Sequence, residues 1–150
     1  MNLSPHFTLA ELTRSQLAVR RGIDNTPPPP AIERLRLLCV HILEPVRDRF
    51  GPFSPSSGYR SPALNRLLGS KDNSQHCKGE AADFEIPGIA NIEVARWIAG
   101  VLDFDQLILE FYSAADPTAG WVHCSYKAVG NRKEILTIGK TRSRFGLPVN

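Results

Sequence analysis

Apolar residues recur at helical spacing through the first half of the chain. Between residues 31 and 50 they fall on one helical face, which predicts a long amphipathic helix that Pro45 kinks and Gly51 ends. The members of this apolar stripe are Ile32, Leu35, Leu38, Cys39, Ile42 and Val46. We expect this helix to form the main part of the core, with Cys39 buried as a packing residue. His41 lies off the stripe and is expected on the surface or in a helix contact.

Two shorter helices are predicted from their capping residues. Thr8, with Glu11 three residues later, has the pattern of a capping box and starts a helix over residues 8–19. Ser61 supplies an N-cap for a helix over residues 61–68, which begins with a proline. These helices precede the strands and are expected to pack beside the long helix.

The second half of the chain alternates between apolar and polar residues, as half-buried strands do. Three stretches show the alternation and a fourth can add a last strand: residues 81–86, 106–111, 121–126 and 134–138. The side chains expected in the core are Ala82, Phe84 and Ile86, then Leu107, Leu109 and Phe111, then Val122, Cys124 and Tyr126. The opposite set places Asp83, Glu110 and His123 on one face of one sheet.

Helices early and strands late predict an α+β fold, with a small, mostly antiparallel sheet packed against N-terminal helices. The length of 150 residues and 42% hydrophobic content fit one domain over residues 1–150, with a core over about 7–140 and a basic tail over 141–150. No run of about 18 apolar residues is present, so we expect no membrane anchor, and we expect a monomer.

A net charge of +3 and a pI of about 8.9 suit an anionic polymer such as cell wall, anionic lipid or nucleic acid, but single out none of them. A solubilising surface is the simpler interpretation. The first residues lack the basic and apolar segments of a signal peptide, so cytoplasmic synthesis is expected.

Three residues of metal-ligand type stand out. His76 and Asp83 lie in one run, in which the polar stretch 70–80 predicts a loop around His76, and His123 follows forty residues after Asp83. A catalytic zinc ion takes three protein ligands and keeps a fourth position for water, whereas a structural zinc ion takes four. Taken singly, these residues have ordinary interpretations: a loop histidine, a surface aspartate and a hydrogen-bonded sheet histidine. Together they indicate a catalytic zinc site.

Four segments carry a resemblance to a known family: Ser57-Gly-Tyr-Arg-Ser61, Leu64-Asn65, Ser74-x-His76-x-x-Gly79-x-Ala81-x-Asp83 and Trp121-Val-His123. The chain resembles the zinc D-alanyl-D-alanine carboxypeptidases, a family that includes phage L-alanyl-D-glutamate endopeptidases and shares its fold with the hedgehog signalling domain. The resemblance covers residues 7 to 140 approximately, and its combined motif is specific.

The resemblance implies roles for individual residues. It makes His76, Asp83 and His123 the zinc ligands. Arg60 matches the arginine that steadies the carbonyl or carboxylate of the substrate, for which a planar, always charged guanidinium is suited. Ser74 matches a serine that lies near the metal in relatives. Its implied role is to bind substrate or to support a metal ligand.

Three aromatic or thiol side chains lie next to the predicted ligands in the sequence. Trp121 is either a pocket wall, and so a substrate-binding residue, or a core residue. Cys124 points to the core by strand parity. Cys77 follows a ligand directly, and a thiol next to a metal makes activity sensitive to oxidation.

The general base departs from the family pattern. Many relatives carry a carboxylate three residues before the last histidine, and here that position is Gly120. Glu110 is the replacement candidate, because its strand parity faces the site, although an exposed strand glutamate is the ordinary alternative. Glu85 shares the face of Asp83 and is the second candidate, whereas Glu80 is expected on the loop surface.

The resemblance therefore predicts a zinc metallopeptidase that cuts stem or cross-link peptides of peptidoglycan. D-Ala-D-Ala carboxypeptidase or endopeptidase activity comes first and L-Ala-D-Glu endopeptidase activity second. By analogy the protein is a phage or prophage endolysin that reaches the periplasm through a holin. Outside the enzymes, a non-catalytic, zinc-stabilised wall-binding module or a virion tail component is the alternative, and nucleic-acid binding is disfavoured.

Overall fold

Helices fill the first half of the chain and strands the second half, in a computed structural model that describes residues 1–149. The helices are α1 Leu9–Thr13, α2 Gln16–Arg21, α3 Pro29–Leu38, a π-helical turn Cys39–Leu43, α4 Glu44–Phe50, α5 Pro62–Leu67, α6 Gln75–Lys78 and α7 Asn91–Val101. The strands are β1 Ala81–Phe84, β2 Gln106–Glu110, β3 Trp121–Ser125, β4 Glu134–Ile138 and β5 Ser143–Phe145. The predicted α+β fold is confirmed.

The strands form one sheet in the order β1-β3-β2-β4-β5. Neighbouring strands are antiparallel except β2 and β4, which are parallel, so the sheet is mixed. In this register Asp83 of β1 lies opposite His123 of β3, and His123 lies opposite Ile108 of β2. Glu110 lies two residues beyond Ile108 and therefore on the same face of the sheet.

The predicted long helix is present as α3, the π-helical turn and α4 in succession, and Gly51 ends it. Pro45 has no N–H, so it cannot donate within the helix, and the backbone widens just before it, where Glu44 N–H bonds the Cys39 carbonyl. The predicted stripe is buried: Leu35, Leu38, Cys39, Ile42 and Val46 join the core-facing residues of the sheet in one apolar cluster. His41 is exposed and stacks on Tyr126, with ring centroids 4.4 Å apart.

The structure corrects two predicted boundaries near the start and in the sheet. The capping box of Thr8 and Glu11 is present, but α1 ends at Thr13 because Ser15 caps a separate helix by accepting a hydrogen bond from the Ala18 N–H. Phe111 does not continue β2 into the core. It has a φ of 52°, and its side chain is exposed.

Residues outside the predicted core of about 7–140 also take part in the fold. Leu3 is buried in the core cluster, so the core begins before residue 7. Part of the expected basic tail is strand β5, which pairs with β4, and Thr137 donates a hydrogen bond to the Gly146 carbonyl. Within residues 1–149 no helix has the length and apolar character needed to span a bilayer.

Candidate active site

His76 lies on α6, a single helical turn, and not on a loop as predicted. Ser74 caps this turn: its Oγ accepts a hydrogen bond from the His76 N–H at 3.2 Å. Gly79 ends the turn with a φ of +78°, and a Cβ there would lie 2.5 Å from the Ala31 carbonyl oxygen. The turn is therefore seated directly against the start of the long helix, where a larger residue does not fit.

The ring of His76 has a fixed orientation. Its Nδ1 lies 2.7 Å from the Gly58 carbonyl oxygen, which can only accept, so Nδ1 carries the proton. The unprotonated Nε2 then faces Asp83, whose Oδ1 is 3.4 Å away. A histidine that donates one ring N–H to a carbonyl and presents its other nitrogen is arranged as metal ligands usually are.

Asp83 and His123 meet across the β1–β3 pair. Oδ1 of Asp83 lies 3.0 Å from Nδ1 of His123, and both side chains are buried. Burial by itself raises the pKa of Asp83, but its hydrogen bond with His123 and the proximity of the His76 ring outweigh burial and hold that pKa well below its ordinary value. Asp83 is thus a carboxylate anion with one oxygen directed at two imidazole rings.

These three residues fit a zinc ion by the chemistry of their donors. One atom from each of His76, Asp83 and His123 lies within 4.8 Å of the others, and all three residues are buried. Two imidazole nitrogens and one carboxylate oxygen are ligands that zinc accepts, and three protein ligands are the number found in catalytic sites. Within residues 1–149, this potential metal-binding group includes no cysteine. Cys124 is fully buried with a raised pKa, as strand parity predicted for a core residue.

Arg60 lies against the other oxygen of Asp83. Its Nη2 is 3.3 Å from Asp83 Oδ2, its Nε donates to Ser57 Oγ at 3.1 Å, and its Nη1 is 3.5 Å from Asn65 Oδ1. The guanidinium therefore holds Oδ2 and leaves Oδ1 to the histidines. Sequence reasoning missed the part played by Asn65, which is fully buried and also donates to the Lys71 carbonyl at 2.7 Å. The segment Leu64-Asn65 is one of the four that carry the family resemblance, and this was the sequence feature that could have indicated a role for Asn65.

Glu110 is half-buried on the same face as His123. Burial raises the pKa of Glu110, the charge of Asp83 raises it further, and His123 and Arg60 oppose the shift. The sheet register places Glu110 two residues along β2 from Ile108, the partner of His123. No other described residue hydrogen-bonds the Glu110 carboxylate, so it is free to take part in chemistry.

The structure explains why position 120 carries no carboxylate. Gly120 has a φ of +74°, and a Cβ there would collide with the carbonyl oxygen of Glu110 and lie 2.8 Å from the Phe111 carbonyl carbon. Any larger residue would have to displace the backbone at the end of β2. Gly120 therefore excludes a side chain at the point where Glu110 is held.

The other two glutamates lie elsewhere. Glu85 follows the end of β1, is exposed, and accepts a long hydrogen bond of 3.4 Å from Asn91. Glu80 was expected on the loop surface, but this is wrong: it is buried, because α6 and β1 enclose it. Its Oε1 finds no hydrogen-bond partner among the described residues.

Trp121 is half-buried at the edge of the site. Its ring stacks obliquely on exposed Phe111, with centroids 5.3 Å apart. Its Nε1 is buried and has no hydrogen-bond partner within residues 1–149. The pair borders the end of β2 that carries Glu110.

Two clefts lie near residues of the site. A cleft of about 370 Å³ opens beside Arg60 and is bordered by Ser57 and Leu64. A second, of about 530 Å³, opens beside His123 and includes Ser74 in its wall.

The match to a family model supports the same assignment. A model described as Peptidase M15 matches residues 5–125, which include His76, Asp83, Glu110 and His123. No curated protein matches the chain in sequence. The matched segment spans most of the chain and includes a buried group of donors suited to zinc. The chain therefore belongs to the Peptidase M15 family, whose members are zinc-dependent metallopeptidases.

Proposed function

We propose that the chain hydrolyses a peptide bond in the stem or cross-link peptides of peptidoglycan, with zinc held by His76, Asp83 and His123. The family implies a substrate derived from peptidoglycan. The observation that supports the catalytic role is the convergence of three potential ligands and one unpartnered carboxylate, Glu110, on one face of the sheet.

Zinc, when bound, supplies a Lewis acid that makes water a nucleophile near neutral pH and polarises a carbonyl group. The protein residues supply the ligands and their orientation. The Gly58 carbonyl fixes the tautomer of His76, and Arg60 fixes one oxygen of Asp83.

Glu110 is the proposed general base and acid. It takes the proton of the attacking water and returns it to the leaving amine. A carboxylate with a raised pKa suits both steps, since its proton affinity is closer to the working pH. Its carboxylate is not committed to a hydrogen bond, unlike that of Asp83.

Arg60 is proposed to steady the carbonyl or carboxylate of the substrate. Its guanidinium is anchored by Ser57 and Asp83, which fixes its plane, and it borders the smaller cleft. A fixed planar donor loses little freedom when it binds an oxygen anion. Ser74 is proposed to support the site by holding the turn that carries His76.

Digestion of purified peptidoglycan, with mass spectrometry of the products, tests this function. The wild-type protein, Glu110→Gln and the matched control Glu85→Gln are compared, each with its zinc content measured. We expect new amine ends from the wild type and from Glu85→Gln, and a rate about 10²- to 10⁴-fold lower for Glu110→Gln with zinc retained. Zinc binding without any cleavage by the wild type would refute the enzyme assignment in favour of a wall-binding or virion component.

The same digestion identifies the bond. Loss of terminal D-Ala or cutting of cross-links indicates D-Ala-D-Ala specificity, which we propose, whereas release of L-Ala from D-Glu indicates the alternative endopeptidase. If Glu110→Gln keeps full activity, the base assignment is wrong and Glu85 becomes the candidate.

We further propose that the biological setting is lysis by a phage or prophage, with action in the periplasm or cell wall. The support is the likeness of the motif to small phage members of the family and the net charge of +3, which suits an anionic wall. Expression in a Gram-negative host with and without a holin tests this: lysis should need both proteins. Lysis by this protein alone, in cells without a holin and with an intact outer membrane, would contradict the proposed setting.

A further inference from the structure

The cleft beside His123 is a groove with an apolar floor and basic walls. Its floor consists of Ile108 on β2 with Leu136 and Ile138 on β4, and its walls include Lys71 and Arg132. Among the described residues that line it there is no aspartate or glutamate. We call it the β2–β4 groove.

Arg132 is held in the wall of this groove by a buried anion. Its Nε and Nη2 donate to the two oxygens of Asp105 at 3.0 and 2.9 Å, and its backbone N–H donates at 3.1 Å. Asp105 is fully buried, and Gln75, next to His76, also donates to it at 3.0 Å. A guanidinium fixed by two parallel bonds is preorganised for a second planar acceptor.

Arg132 keeps donors that its bonds to Asp105 do not use. Its side chain is 52% exposed, and its Nη1 lies 3.9 Å from Glu134 Oε2, too far for a hydrogen bond. Glu134 is itself committed, because its Oε1 accepts from Gln106 at 2.7 Å. Lys71, which also lines the groove, has an exposed side chain. A ligand in the groove therefore meets Lys71 and the exposed part of Arg132, whose charge Asp105 and Glu134 partly offset.

From this geometry we infer that the β2–β4 groove binds a carboxylate of the peptide substrate, with Arg132 as a specificity-determining residue. The methyl groups of alanine residues fit the apolar floor, and the carboxylate pairs with Arg132 and Lys71. Arg132 lies beyond residues 5–125, the segment that the family model matches. The role of the groove rests on the proposed function, since it concerns the same substrate.

Two carboxylates of a stem peptide have the required chemistry: that of the terminal D-Ala and the α-carboxylate of D-Glu. Three synthetic stem peptides separate them: one with both carboxylates free, one with the terminal D-Ala amidated, and one with the D-Glu α-carboxylate amidated. We expect kcat/KM of the wild type to fall about 10- to 100-fold for one of the amidated peptides, as expected for loss of a hydrogen bond between charged groups.

The variant that tests Arg132 removes both partners of the ion pair. Arg132→Gln alone would leave Asp105 buried and unpaired, so it is combined with Asp105→Asn. The double variant should cleave the free and amidated peptides at similar rates, with its zinc content unchanged. Lys71→Gln, at an exposed site, should reduce the preference several-fold without affecting folding. Arg20→Gln, on the exposed face of α2, is the matched control and should keep the wild-type preference.

The role of the groove would be overturned if the double variant and Lys71→Gln both preferred the free peptide over the amidated peptides as strongly as the wild type does. It would also be overturned if the wild type cleaved all three peptides at the same rate. If the wild type cleaves no peptide, the proposed function fails separately. Equilibrium binding of the three peptides to the zinc-loaded protein then decides on the groove. Weaker binding of one amidated peptide than of the free peptide supports it, and equal binding of all three refutes it.

Discussion

Replacement of Gly120 by alanine should destabilise the protein more than a glycine replacement at an open position. The structure gives two reasons. The φ of +74° costs an L-residue about 1–2 kcal/mol, and the new Cβ would collide with the Glu110 carbonyl. Relief of such overpacking typically costs a further ~1–3 kcal/mol.

Gly88 provides the matched control. Its φ is +79°, and a Cβ there meets nothing within 4 Å, so Gly88→Ala has the backbone cost without the collision. For a domain of this size, the difference of about 1–3 kcal/mol corresponds to a melting temperature roughly 2 to 12 °C lower for Gly120→Ala than for Gly88→Ala. Thermal and urea unfolding of the zinc-loaded proteins measure it.

The same site predicts a functional result. Because β2 must shift to admit a side chain at position 120, restoring the family's carboxylate with Gly120→Glu should not rescue Glu110→Gln. Equal melting temperatures for the two alanine variants would refute the collision. Recovery of activity in the double variant would show that the backbone adapts and that the base position is not determined by Gly120.

Three further predictions follow from the site and its supports. Chelation of zinc should abolish peptide hydrolysis and lower the melting temperature, and added zinc should restore both, because a ligand that binds only the folded state stabilises it; insensitivity to chelation would rule out a role for the metal. Ser74→Ala should cost about 0.5–2 kcal/mol and weaken zinc binding in a competition titration, since the cap holds the turn of His76, whereas unchanged affinity would limit Ser74 to stability. Burial raises the pKa of Asp105, but hydrogen bonds from Arg132 outweigh burial and hold that pKa below its ordinary value, so this stabilisation is present above the unfolded pKa of about 3.9 and is lost in acid. Asp105→Asn should therefore lower the free energy of unfolding by about 1–3 kcal/mol at pH 7 and by much less at pH 3. A constant difference across that pH range would contradict this linkage.

Local patterns predicted the elements that depend on local forces. The capping box at Thr8, the cap at Ser61 and the apolar stripe of the long helix are all present, because a cap or a stripe acts within a few residues. Strand alternation placed Asp83 and His123 correctly on one face, since side chains in a strand must alternate.

The sequence interpretation failed where distant contacts decide. Glu80 was assigned to the surface by its polarity, but it is buried in the connection between α6 and β1, where its carbonyl accepts a hydrogen bond from the distant Tyr126 N–H. The parallel pairing of β2 with β4 and the addition of β5 were not predicted, because register between distant strands leaves no local pattern. The contacts of Arg60 with Asp83 and Asn65 are likewise tertiary.

The departure at Gly120 and the position of Glu110 have one structural origin. Position 120 precedes Trp121, and Trp121 lies opposite Glu110 across the β2–β3 pair, so the two positions are neighbours at the same end of the sheet. Loss of the side chain at 120 lets the β3 backbone pack against the Glu110 carbonyl, which fixes the backbone from which the Glu110 side chain extends. The general base that we propose, Glu110, is thus supplied by β2 and not by the position just before β3, next to its partner Trp121 across the pair.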